Sequence, residues 1–207
     1  KYEEFLYFFP DVYALARASP AKVLRVWKGM GYNRRALYLQ KAAKEVVELY
    51  HGELPNDEQQ LHKLPGLGIY TARAVLVFAF GQNLYMVDTN IRQIITHFFF
   101  DDKPQKESVV QEVADLLVPK DKSWEWHQAL MDYGAIELSK FNRPERSRRT
   151  SVPFKDSNRF YRGRIIDRLR EGDIRESKLV DEFNKKYGKS NDFLKAILQG
   201  LEADGLI

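Results

Sequence analysis

The run Leu64-Pro65-Gly66-Leu67-Gly68-Ile69-Tyr70-Thr71-Ala72, followed by Val87-Asp88-Thr89-Asn90-Ile91-Arg92, constrains the fold of this chain more than any other stretch. Pro65 stops one helix, and Gly66 and Gly68 permit a tight turn with exposed backbone N–H groups. The second helix then starts with the positive end of its dipole facing outward, which makes a phosphate site. Eighteen positions after Tyr70 stands Asp88, beside a Thr-Asn pair that can cap a helix.

The surrounding pattern is helical. Apolar residues recur near the helical period over 34–50, at Ala36, Leu37, Leu39, Ala42, Ala43, Val46 and Val47, and Gly52 ends that helix. Further helices are predicted over about 18–28, 57–63, 69–80, 90–100, 106–117 and 124–138, with no competing strand alternation. The 69–80 helix is apolar nearly all round, which predicts burial. Residues 141–158, with Pro144, Pro153 and a basic cluster, read as a loop or linker. Helices over 159–170, 176–187 and about 191–203 follow, a succession that fits either the start of a winged helix or a small helical cap. The fold class is therefore all-α.

Charge is unevenly spread along the 207 residues. The net of +4 divides into −2 for residues 1–138 and +6 for 139–207, and Lys140–Arg170 holds 11 basic against 3 acidic residues. A basic face of this kind suits a polyanion or is a solvated surface. The chain has no cysteine, which excludes disulfides and thiol chemistry and fits an intracellular location, cytoplasm or nucleoid in a bacterium or archaeon. No apolar run approaches the roughly 20 residues needed to span a bilayer, so no membrane partner is expected.

The turn, helix and carboxylate at this spacing resemble the helix–hairpin–helix DNA glycosylases, with the MutY-type adenine glycosylases as the nearest look. Val26-Trp27-Lys28-Gly29-Met30-Gly31-Tyr32, Phe78-Ala79-Phe80-Gly81-Gln82 and Met131-Asp132-Tyr133-Gly134-Ala135 agree, in register over residues 1–138. The resemblance implies three segments: a glycosylase core at 1–138, a basic linker at 139–158 and a small helical or winged-helix-like domain at 159–207. It also implies duplex DNA with a mispaired or damaged base as partner. The hairpin residues Lys63, Leu64, Gly66 and Gly68 would grip the DNA backbone, and Asp88 would act on the sugar of a flipped-out nucleotide. Read from its own neighbourhood alone, without the hairpin, Asp88 is sooner a helix N-cap than a catalytic group.

Position 70 sets the expected reaction subtype. Bifunctional relatives place a lysine here, whose amine attacks the sugar; Tyr70 cannot form that Schiff base. Hydrolysis without strand cleavage is therefore expected, with Tyr70 bounding the base pocket or filling core. Tyr32, with Arg34 and Arg35 behind it, looks like the segment that enters DNA beside the opposing base, or is a Gly-rich turn with a surface basic pair. Asn33 stands where the family usually has a second tyrosine, which admits thymine or uracil opposite guanine beside adenine opposite 8-oxoguanine or guanine. A non-catalytic DNA-binding module is the alternative of another class. The four histidines have no metal-ligand spacing, and Trp124, Trp126 and Phe98–Phe100 are expected to be core.

Two departures stand out. MutY-like proteins usually follow the Met-Asp-x-Gly-Ala segment with four cysteines holding an iron–sulfur cluster. Those places are Leu138, Glu145, Arg148 and Phe154 here, so no cluster or other cofactor is expected. Arg143, Arg146, Arg148 and Arg149 would supply the loop's charge, with apolar packing by Leu138 and Phe154 in place of the metal staple. The family also has a helix preceding Lys1, bearing a glutamate that protonates adenine. That helix is expected from the same longer polypeptide or from a partner chain.

Overall fold

A computed structural model describes residues 1–137 and 153–207. Twelve helices are found among them: α1 (Tyr2–Phe8), α2 (Val12–Arg17), α3 (Pro20–Val26), α4 (Arg34–Tyr50), α5 (Glu58–Lys63), α6 (Ile69–Phe80), α7 (Thr89–Phe100), α8 (Glu107–Leu117), α9 (Ser123–Glu137), α10 (Asn158–Arg170), α11 (Glu176–Tyr187) and α12 (Asn191–Ala203). No strand occurs among the described residues. Half of the helix starts follow the capping rule: the side chains of Asp11, Ser19, Asp57, Asp88, Ser157 and Ser190 each accept a first-turn amide.

The chain forms two compact units, one of residues 1–53 with 149–207 and one of residues 54–148. This differs from the sequential division expected above. Residues 159–207 do not stand apart. The apolar sides of α10, α11 and α12 (Tyr161, Ile165, Ile166, Leu179, Phe183, Leu194, Leu201) share one core with Phe9, Leu15, Val23, Leu24 and Leu37. Burying these faces against each other is the dominant stabilising term, at roughly 1.5–3 kcal/mol per large side chain.

Arg170 fastens the two segments of that unit. Its side chain is 9% exposed, with Nε donating to the Leu24 carbonyl at 3.0 Å, Nη2 to Asn33 Oδ1 at 2.9 Å and Nη1 to Asp167 Oδ1 at 2.7 Å. On the other side, the Tyr13 hydroxyl donates to the His51 carbonyl at 2.6 Å. Gly52 follows with φ +89°, and a Cβ there would collide with the Tyr13 ring. Phe154 is no staple: it is 62% exposed and meets Phe160 edge-on at 5.8 Å. A residue beside Pro153 in a short 3-10 turn has too little chain around it to be enclosed. Leu138, Glu145 and Arg148, with the other arginines of 143–149, lie outside the described residues.

In the second unit α5 packs on α6, and α7 packs on α8 and α9. Tyr85, Ile91, Ile95, Val110 and Ala114 form a small core there. The expectation that α6 is buried all round is not met: Ala72, Leu76 and Val77 are buried, whereas Ile69, Ala79 and Phe80 are exposed. Trp124, Phe98 and Phe99 are also exposed rather than core. Composition signals apolarity, but only neighbours create burial, and α6 has partners on one side.

Candidate active site

The turn between α5 and α6 is built as its residue types require. Leu61 and Leu64 are buried, and the Leu64 N–H is taken by the Leu61 carbonyl at 3.1 Å, while Leu67 N–H closes on the Leu64 carbonyl at 3.2 Å. Leu64 thus anchors the turn from inside and has no amide to offer a phosphate, contrary to its expected contact role. Gly66 takes φ +80°, the left-handed region that glycine enters without strain. His62 Nδ1 donates to the Leu67 carbonyl at 3.1 Å, closing the turn from outside.

The amides of Gly66, Gly68, Ile69 and Tyr70 meet no acceptor among the described residues. Gly68 is the N-cap of α6 and has no capping side chain; a Cβ on it would meet nothing within 4 Å. Free amides, a helix dipole and open space coincide here, and Lys63 stands exposed on the preceding turn. Unpaired amides at a helix N-terminus are the features that favour an anion in general.

Asp88 lies at the start of α7 in the same unit. Its Oδ1 accepts the Ile91 N–H at 2.7 Å, so it is the N-cap. Only that oxygen is committed; Oδ2 meets no donor among the described residues. The carboxylate also acts on Tyr70: burial pushes the Tyr70 phenol above its usual value, and the Asp88 charge pushes it further. Capping thus leaves the charge of Asp88 felt at Tyr70. Tyr70 itself is 39% exposed, in the first turn of α6, so it bounds a surface and does not fill core.

The segment that carries Asp88, residues 84–88, is neither helix nor strand, and three side chains hold its backbone. The Ser123 hydroxyl donates to the Leu84 carbonyl. Arg73 Nη1 donates to the Tyr85 carbonyl at 3.0 Å and pairs with Asp115 at 3.2 Å, while its Nε pairs with Glu58 at 3.1 Å. The Met86 N–H donates to His127 Nε2 at 3.0 Å, and His127 Nδ1–H donates to the Ser123 carbonyl at 2.6 Å. His127 is wholly buried, and burial lowers its pKa below 6.5 despite those bonds. A neutral ring with a defined tautomer results.

Arg73 and His127 are the residues that sequence reasoning missed. His127 lacked any partner motif, and Arg73 sat among apolar residues on a helix. The one available signal was that lone arginine: a charge in an apolar stretch needs partners.

Tyr32, Arg34 and Arg35 belong to the other unit. Gly29, Gly31 and Tyr32 all take positive φ (+90°, +69°, +47°), and the turn is closed by Trp27 Nε1–H donating to the Gly31 carbonyl at 2.8 Å. Tyr32 is 67% exposed. Arg34 is engaged with Asp204 at 3.6 Å and with the Tyr38 hydroxyl at 3.1 Å, whereas Arg35 is exposed and meets no acid among the described residues. Among the described residues no group of His, Asp or Glu is arranged to hold a metal ion, and no helix is long and apolar enough to cross a membrane.

This arrangement has counterparts. The chain is 40% identical over 129 residues to the adenine DNA glycosylase of Mycolicibacterium smegmatis, covering 61% of this chain and 44% of that protein. It is 33% identical over 132 residues to the thymine/uracil-DNA glycosylase of Methanothermobacter thermautotrophicus, covering 62% and 58%. Among solved structures, a thermostable thymine-DNA glycosylase superposes with a TM-score of 0.63 at 28% identity, over 70% of this chain and 67% of that one. The chain thus spans less than two thirds of these curated relatives. The sequence profile of the HhH-GPD superfamily base excision DNA repair proteins matches residues 1–119, a stretch that contains the hairpin, Tyr70 and Asp88, and the chain belongs to that superfamily.

Proposed function

We propose that this chain is the catalytic part of a monofunctional DNA glycosylase, which hydrolyses the N-glycosidic bond of a mispaired base flipped out of duplex DNA. The observation that carries the reading is Asp88. It is fixed at the head of α7 by one oxygen, its other oxygen meets no donor among the described residues, and its charge is felt at Tyr70 on the first turn of α6.

Breaking the bond builds positive charge on the sugar, and a preorganised carboxylate stabilises it. The bonding electrons leave with the base. Water adds at C1′, and the uncommitted oxygen of Asp88 accepts its proton. The Gly66–Tyr70 amides hold a neighbouring phosphate. Tyr70 has no amine to trap C1′ as a Schiff base, so the product is an intact abasic site. Tyr32 fills the emptied stack.

Adenine opposite 8-oxoguanine or guanine is the first substrate, in keeping with the 40% identity to an adenine glycosylase. Asn33 after Tyr32, together with the thymine/uracil relative, favours thymine or uracil opposite guanine as the second. No cofactor takes part in this reading, since the chain has no thiolate to hold a cluster.

The proposal includes one further element, the N-terminal helix that the resemblance implies, from the same longer polypeptide or a partner chain; an apolar depression on α7 and α9 is one surface open to it. Ile94, Phe99, Leu117 and Leu130 line this depression of about 280 Å³. In its wall the Tyr85 hydroxyl and the Trp126 indole N–H are buried without hydrogen-bond partners among the described residues; Trp126 is near enough to oppose the rise that burial imposes on the Tyr85 phenol, but the two do not reach bonding geometry.

The test is base release from labelled duplexes carrying A:8-oxoguanine, A:G, T:G, U:G and hypoxanthine pairs, with alkali to reveal abasic sites. Alkali-dependent cleavage of one pair, lost in Asp88→Asn, is expected. Tight binding with no base release from any pair would leave a DNA-binding module instead.

A further inference from the structure

Residues 153–207 lie beyond the segment that matches the family profile, yet α10 runs against the Gly-rich turn that presents Tyr32. Arg170 bonds Asn33 at 2.9 Å, and the Arg159 guanidinium sits over the Tyr32 ring at 5.0 Å from its centre. The other arginines of α10 are committed to acids: Arg162 to Asp204, Arg164 to Asp167 at 4.0 Å, Arg168 to Glu182 at 3.0 Å and Arg170 to Asp167 at 2.7 Å. Arg159 is exposed, and among the described residues its planar fork of donors pairs with no carboxylate and has only the Tyr32 face as a partner. The expected basic face thus reduces, on this helix, to one uncommitted arginine, and it stands on the exposed aromatic.

We propose that Arg159 is a second DNA-contacting residue that acts as a unit with Tyr32, so that the C-terminal segment contributes to recognition of a site lacking a stacked base. This rests on the reading of Tyr32 as the side chain that fills the emptied stack. The turn holds the phenol outward with little freedom, because Gly29, Gly31 and Tyr32 take positive φ and Trp27 closes the loop. The guanidinium keeps the ring in that orientation by cation–π attraction and offers its N–H donors to a flanking phosphate. A lysine would keep the charge but lose the flat stacking surface.

The experiment is equilibrium binding of the 207-residue chain to two duplexes of one sequence, one intact and one carrying a tetrahydrofuran abasic analogue, across a salt series. The expected result is that Arg159→Ala lowers the preference for the abasic duplex about tenfold and reduces the salt slope by about one. Arg159→Lys should restore the slope but not the preference. Tyr32→Ala should lower the preference, and the double variant should be no worse than the poorer single one. Melting of Arg159→Ala should be unchanged, since the side chain is exposed and unbonded. Equal weakening on both duplexes, or additive effects, would overturn the paired role. If Tyr32→Ala lowers the preference and Arg159→Ala does not, this proposal alone fails. If neither does, the reading of Tyr32 fails with it.

Discussion

His127 holds the backbone of Met86: the Met86 amide donates to its Nε2 at 3.0 Å, two residues before Asp88. The ring is oriented in turn by Ser123, so the carboxylate is placed by a chain of bonds that begins on α9. Replacing His127 with Phe removes both bonds and strands the Met86 N–H in a buried site. A loss of about 2–4 kcal/mol of stability is expected, read by chemical denaturation, and kcat should fall in the surviving folded fraction with KM little changed. Unaltered stability would show that the buried ring bears no weight.

The same histidine sets a pH dependence. Its pKa is lowered in the folded protein and near 6.5 unfolded. Below 6.5 the unfolded chain therefore binds more protons than the folded one, and stability falls as pH drops from about 6.5 towards the folded pKa, then levels off. Denaturant midpoints measured between pH 7.5 and 5 should show this decline, and His127→Gln should flatten it.

Asp88 allows its two roles to be separated. Asn is as good an N-cap as Asp, so Asp88→Asn keeps the bond to Ile91 while removing the charge. Melting should change little and base release should drop about 10²–10³-fold. Asp88→Ala should lose the same activity and a further ~1 kcal/mol of stability. An Asp88→Asn enzyme with full turnover would reduce the residue to a cap.

Gly68 tests the anion site without disturbing the fold. Its φ is −78° and a Cβ there meets nothing within the protein. Gly68→Ala should leave the melting temperature unchanged or raised, and weaken DNA binding about tenfold if a phosphate packs against that backbone, measured by anisotropy at fixed salt. Unchanged affinity would move the DNA elsewhere.

Gly52 is the contrary case, with φ +89° and the Tyr13 ring against it. Gly52→Ala should destabilise by about 1–3 kcal/mol, and Gly52→Ala with Tyr13→Ala should recover part of that loss.

The helices and the hairpin were legible because they are local matters. Pro65 and Gly66 dictate a turn whatever surrounds them, and the 3.6-residue period over 34–50 and the apolar stretch 69–80 mark helices that the structure keeps to the residue. Asp88 was legible as a cap, and the structure places it so; its catalytic role stays a proposal that rests on the family resemblance. The bracing of 84–88 was not, because Arg73, Ser123 and His127 come from two distant helices and no short pattern joins them. Nor was the partnership of α10 with the Tyr32 turn, where Arg170 bonds groups 137 and 146 residues away. Charge counting ranked that helix as a polyanion surface, whereas most of its arginines are spent on carboxylates.

The unit that presents Tyr32 joins two segments far apart in the sequence, whereas the unit that carries Asp88 is one continuous stretch. During synthesis these two cannot mature together. The described helices of the stretch from Leu54 have one another as packing partners once α9 has left the ribosome. Phe9, Leu15 and Val23 must wait, with their apolar sides uncovered, until Leu201 and Leu206 have emerged. Joining ends so far apart adds only about (3/2)RT ln n of loop entropy, so equilibrium stability barely registers the arrangement. The burden is kinetic: this part of the nascent chain stays exposed to aggregation until Leu201 and Leu206 are available to cover it.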